Sequence, residues 1–178
     1  MFPRNRAAKT MNQRTMLTQP EGPVVASVRT LTALIGIRRQ KLLPQLYGTI
    51  TIAESNLAEI DALLPGTPSW LAVGEDHPTI TLPERLAATS PSEAATIRFA
   101  LGSGASLVLL DGPVKERAKL SFIKSVGTVS ILVSAYRQGH LSAVRPMVTA
   151  LEKLGHADVL PPPEQLEALW VALEDMVD

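Results

Sequence analysis

The chain has 178 residues, 46% hydrophobic and only 4% aromatic, enough for one domain that buries roughly 70% of its unfolded surface around Leu, Val, Ile and Ala. Seventeen basic and seventeen acidic residues cancel, so no global field draws in nucleic acid, and such binding needs a local patch or a bound cation. Cysteine is absent, which excludes a disulfide scaffold and thiolate metal sites and fits the cytoplasm, and no apolar run reaches membrane-spanning length.

Residues 1–22 carry Arg4, Arg6, Lys9 and Arg14 against the single acid Glu21, with little apolar periodicity. They read as a disordered basic tail, followed by a single domain over residues 23–178. Met11 and Met16 leave a start further in as open as a functional basic arm.

Residues 24–27, VVAS, form a short apolar strand. A helical stripe of Leu31, Leu34, Ile35, Leu42, Leu43 and Leu46 follows, broken near Pro44 and closed by Gly48. TITIA (49–53) alternates as a strand, and Leu57, Ile60 and Leu64 mark the next helix, stopped by Pro65-Gly66. WLAV (70–73) reads as a strand, and residues 76–89 as a loop with an edge strand. Ser90, Pro91 and Glu93 stand in capping-box order at the head of a helix that Gly102 or Gly104 ends.

The apolar run SLVLL (106–110) ends on Asp111, and helix 113–122, a short strand near 124–126 and helix 129–137 follow it. Two further helices, about 142–154 and 163–177, finish the chain. Strands alternating with helices give a three-layer α/β/α sandwich around a mostly parallel sheet, with a helical C-terminal end.

Ligands of such sheets bind at the carboxyl ends of the strands, which is where Asp111 stands. Two roles fit it: N-cap of the helix after Pro113, worth about 1 kcal/mol, or ligand of a divalent cation, for which carboxylates are the hard donors. Two further acids qualify as partners. Glu93 faces the side of its helix that carries Ile97 and Ala100, although a capping box explains it equally. Glu59 borders the apolar face at Ile60, where a solvated flank is the simpler reading.

A phosphate-binding glycine loop, a dinucleotide fingerprint and a nucleophile elbow are all absent, and His77, His140 and His156 lack metal-ligand spacing. Basic residues gather as Arg29, Arg38, Arg39 and Lys41, then as Lys115, Arg117, Lys119 and Lys124. The second group follows Asp111 directly, although solvated helix faces account for such residues as readily.

The segments LTALIGIRRQKLLPQLYGTITIAE, SEAATIRFALGSGASLVLLD and VGTVSILVSAYRQGHLSAVRPMVTALEKLG together resemble PIN-like ribonuclease domains over roughly residues 24–159. The nearest subfamily is prokaryotic, of unknown function, and related to the toxins of toxin–antitoxin pairs. The resemblance implies a sheet sandwiched by helices, and acids that gather Mg or Mn to activate a water against a phosphodiester. It assigns Asp111, Glu93 and Glu59 as catalytic residues and metal ligands; Lys115, Arg117 and Lys119, which follow Asp111, are the candidates for contact with RNA.

Two positions depart from the pattern. The acid expected at the end of the first strand is Ser27, a weak ligand at best, and a second acid expected after Asp111 is Gly112. The resemblance therefore implies a Mg/Mn-dependent endoribonuclease with an impaired metal site, acting on RNA and paired with an antitoxin protein. The alternative is a catalytically inactive binding or interaction module of the same fold. A phosphoacceptor domain using Asp111 ranks lower, because VVAS supplies no acid and SVGT no lysine. Trp170, Val171 and Leu173 offer either a homodimer surface or closure of the chain's own core.

Overall fold

The structure, a computed structural model, describes residues 22–175, so the basic tail expected over residues 1–22 lies outside the described residues but for Gly22. Five strands make one sheet: β1 (Val24–Ala26), β2 (Ile50–Ala53), β3 (Leu71–Gly74), β4 (Leu107–Leu109) and β5 (Ser125–Val126). Every pairing is parallel and the order is β3-β2-β1-β4-β5. Parallel strands are covered on both faces, which is why β1 and β4 read as unbroken hydrocarbon.

Side chains alternate between the two layers as the pleat requires. Val24, Ala26, Leu107 and Leu109 enter one core; Val25, Val108 and Leu110 enter the other. The first core is covered by α1 (Val28–Gly36), α2 (Leu42–Tyr47), α3 (Leu57–Leu63), α6 (Thr128–Arg137), α7 (Arg145–Lys153) and α8 (Pro163–Glu174). The second lies under α4 (Pro91–Ser103) and α5 (Pro113–Leu120). This is the α/β/α sandwich expected from the order of elements.

The first helical stripe is broken shortly before Pro44 and closed by Gly48: α1 ends at Gly36, Arg38 takes φ 56°, and Pro44 falls in the opening turn of α2, where no amide hydrogen bond is lost. Two local expectations need correction. Residues 76–89 contain no strand, because Pro78 and Pro83 bracket the β-branched residues and Ile80 N–H turns back to His77 O (3.2 Å). Helix α5 ends at Leu120, two residues early, and Phe122 leaves it at φ 62°.

The order in which strands are added across the sheet reverses about β1, the strand that pairs with β2 on one side and β4 on the other. Ala26 lies opposite Leu109, and Ser27 N–H continues the ladder to Leu109 O (3.0 Å). The residues following both strands therefore emerge side by side at the topological switch point, the ordinary ligand address of such sheets. In α8, Leu166, Leu169, Trp170 and Leu173 pack against the larger core, leaving Val171 exposed. Closure of the chain's own core accounts for Trp170 and Leu173.

Candidate active-site cleft

Asp111 is 3% exposed and does not cap the helix after it; the N-cap of α5 is Gly112, with no side-chain bond. Its carboxylate instead turns to α6. Thr128 N–H donates to Oδ1 (2.9 Å), and the Thr128 hydroxyl donates to Oδ2 (2.6 Å). Asp111 thus serves, from a neighbouring strand, as the missing side-chain cap of α6, whose own N-cap is Gly127. An acceptor with negative charge there suits the free amides and dipole of a helix start.

The Thr30 hydroxyl also donates to Asp111 Oδ2 (2.7 Å). Because its one proton is committed, the contact between Ser27 Oγ and Thr30 Oγ1 (3.1 Å) must carry the Ser27 proton. Ser27 Oγ also accepts from Thr30 N–H (3.3 Å) as the N-cap of α1. A hydroxyl chain from Ser27 through Thr30 therefore ends on Asp111. Burial pushes the Asp111 carboxyl above its ordinary pKa; the Thr128 and Thr30 hydroxyls, the Thr128 amide and the Lys115 charge oppose that rise without cancelling it.

Glu93 forms the expected capping box with Ser90 and is also buried, 8% exposed. Its partner is Arg29, whose Nη2 lies 3.1 Å from Oε1. The other arm of the same guanidinium meets Asp158 Oδ2 at 2.5 Å. A Cβ on Gly112 would stand 3.4 Å from that arm, so Arg29 also lies beside the Asp111–Gly112 corner. Gly112 has φ 72° and ψ −164°, a backbone open to glycine almost alone, and this excludes the acid expected there.

Beyond Asp111 opens a cleft of about 740 Å³ at the carboxyl ends of β4 and β5. Lys115, Arg137, Ser130 and Ser134 line it, together with Asp158, Leu160, Gln165 and Leu169. Of the residues assigned toward RNA, Lys115 reaches this cleft. Arg117 is half-buried and donates to Ala88 O (3.4 Å), and Lys119 is exposed further along α5.

Glu59 is exposed on α3, and no ion pair involves it among the described residues. The buried polar residue of that segment is Asn56, which donates to Ser92 O (3.1 Å) and Thr96 Oγ1 (3.0 Å) and ties α3 to the head of α4. Sequence reasoning assigned no role in the site to Asn56, Thr30, Thr128 or Asp158. Each holds a neighbour distant in sequence, which spacing does not reveal.

These donors do not fit the divalent cation that the resemblance implies. Asp111 already accepts three hydrogen bonds, Ser27 is an N-cap, and Glu93 faces a guanidinium. Among the described residues, no three His, Asp or Glu side chains converge as a metal site. No helix among them is long and apolar enough to cross a membrane.

A family model described as a PIN domain matches residues 23–157, three quarters of the chain. No curated protein and no solved structure matches it. PIN domains have a nuclease-type fold and generally use divalent metals. On the family match and the parallel sandwich together, the chain belongs to the PIN-domain family.

Proposed function

We propose that this chain is a PIN-fold RNA-binding module in which metal-activated phosphodiester hydrolysis has lapsed. Arg29 carries the reading. Its guanidinium bridges Glu93 and Asp158 beside Asp111, supplying from the protein the positive charge that a cation would bring. A guanidinium neutralises carboxylates, but it does not coordinate a water and lower its pKa as a metal does. The cleft retains what phosphate contacts require: Lys115 and Arg137 as charges, Ser130 and Ser134 as hydroxyl donors.

The test is Mn titration by calorimetry on wild type, Asp111→Asn, Ser27→Asp and the pair Ser27→Asp with Arg29→Ser. Wild type should show no saturable binding, and the paired variant should gain it. Asp is as good an N-cap as Ser, so Ser27→Asp preserves the start of α1. Saturable binding to wild type that Asp111→Asn abolishes would overturn the proposal.

That result would favour the second reading, a Mg/Mn-dependent endoribonuclease of the toxin type with an antitoxin partner. Its support is that Asp111 remains buried at the end of β4 with Glu93 held close by through Arg29.

A further inference from the structure

Helix α5 ends in a tight left-handed cap. Ile123 N–H returns to Ala118 O (3.0 Å) and Phe122 N–H to Lys119 O (3.1 Å), the paired bonds of a Schellman motif. The residue at its left-handed position is ordinarily glycine, because a Cβ there meets the neighbouring carbonyl. Here it is Phe122, at φ 62°. The ring recovers nothing from the fold, since Phe122 is 100% exposed. Leu120, 61% exposed, stands beside it.

The surroundings are cationic. Segment 113–124, PVKERAKLSFIK, holds four basic residues against the single acid Glu116, in a chain whose total charges cancel. Lys119 and Lys124 flank Phe122 and are exposed. Arg85 joins them from a preceding turn, its Nη1 donating to Leu120 O (3.4 Å). None of the three forms an ion pair among the described residues. Glu84 is the acid nearest in sequence on that turn.

An exposed ring among unpaired cations fits two kinds of partner, and size separates them. A stable protein interface needs about 800 Å² from each side. One Phe and one Leu fall well short of that, since an aromatic side chain supplies about 150–250 Å². A nucleobase needs only one ring face, provided that neighbouring cations hold its phosphates. Charge complementarity points the same way.

We propose that Phe122 is the stacking platform of a single-stranded nucleic-acid contact, with Lys119, Lys124 and Arg85 as its phosphate cations. The contact lies at the far end of α5 from the cleft, a rise of about 12 Å over eight residues. One strand can therefore engage the cleft through Lys115 and the platform through Phe122. The inference rests on the RNA-binding reading and locates on the surface an anchor outside the cleft.

The experiment is fluorescence anisotropy with dye-labelled oligouridylate and oligodeoxythymidylate across a salt series. The variants are Phe122→Gly, Phe122→Trp, the pair Lys119→Gln with Lys124→Gln, and Lys115→Gln. Phe122→Gly removes the ring while relieving the left-handed backbone, so it should melt no lower than wild type. Its affinity should nevertheless fall about tenfold or more, with an unchanged salt slope, whereas Phe122→Trp holds wild-type affinity. The lysine pair should reduce the salt slope by about one to two.

Wild-type affinity in Phe122→Gly, with binding lost in Lys115→Gln, would overturn the platform and leave RNA binding in the cleft standing. No binding of either oligonucleotide to wild type would overturn both. Self-association of wild type that Phe122→Gly abolishes, without oligonucleotide binding, would overturn the proposal in favour of a protein contact.

Discussion

Thr128 holds Asp111 twice, by its amide to one carboxylate oxygen and by its hydroxyl to the other. This joins the end of β4 to the start of α6 through a single residue. Thr128→Val keeps the shape but removes the hydroxyl donor from a buried carboxylate. It should cost about 1–3 kcal/mol, the usual penalty for a lost partner of a buried polar group. Thr128→Ser should retain most of the stability. Urea denaturation of both variants checks this, and a smaller loss in Thr128→Val than in Thr128→Ser would contradict it.

Thr30 shares Asp111 Oδ2 with Thr128, so the two hydroxyls should not act independently. Thr30→Val and Thr128→Val together should depart from the sum of the single effects by about 0.5–3 kcal/mol. A double-mutant cycle in urea measures the coupling. Strict additivity would place the two threonines on separate networks.

The raised pKa of Asp111 sets the sign of one pH effect. The folded chain holds this proton more tightly than the unfolded chain does. Stability from this group is therefore greatest below the unfolded carboxylate pKa and declines as pH rises through the folded value. Asp111→Asn keeps an acceptor for the Thr128 amide and does not titrate. Compared with wild type, it should lose that decline in denaturation midpoints measured from about pH 4 to 7. A wild-type profile that instead gained stability over this range relative to Asp111→Asn would contradict the assignment.

Gly127 lies so close to the carboxylate that a Cβ there would stand 2.6 Å from Asp111 Oδ1 and 3.2 Å from Leu110 O. Gly127→Ala must push α6 away from β4 and should cost about 1–3 kcal/mol, as other overpacking substitutions do. The denaturation midpoint reads this directly. A midpoint at or above wild type would mean that the corner accommodates a methyl group without strain.

Arg29 loses two acidic partners at once when it is truncated. The contribution from Asp158 should be small, within about 1 kcal/mol, because that pair is partly in water. Glu93 is more buried, and Arg29→Met should expose its lack of a counter-ion. Arg29→Lys should not restore both contacts, since one ammonium lacks the planar fork that spans them. Denaturation at low and high salt separates the contributions: a salt-independent loss belongs to Glu93, and the screened part to Asp158.

The sheet was legible because hydrophobic periodicity reports it directly. VVA and LVL are continuous because both faces of β1 and β4 are covered. The capping box at Ser90 and Glu93 was legible for the same kind of reason, since partners three residues apart share one turn. The network around Asp111 was hidden because its members come from the head of α1, the end of β4 and the start of α6. Thr30 lies 81 residues from Asp111 along the chain, and Asp158 lies 129 from Arg29. Ser27 and Gly112 stood out as missing acids, but Arg29 read only as one member of a basic group. Sequence patterns assign charge to a residue; the fold decides which carboxylate receives it.

The central place of β1 shapes how the chain emerges during synthesis. Its pairing with β2 becomes available early, but Val24 meets Leu107 only after 107 − 24 = 83 further residues. Until then one flank of the innermost strand displays unpaired amide and carbonyl groups to any extended neighbour. Parallel pairing at such separation is slow, because the closure entropy precedes the reward. The nascent N-terminal half is therefore the stage at which association between chains competes with folding, and slower elongation between β2 and β4 would lengthen that exposure.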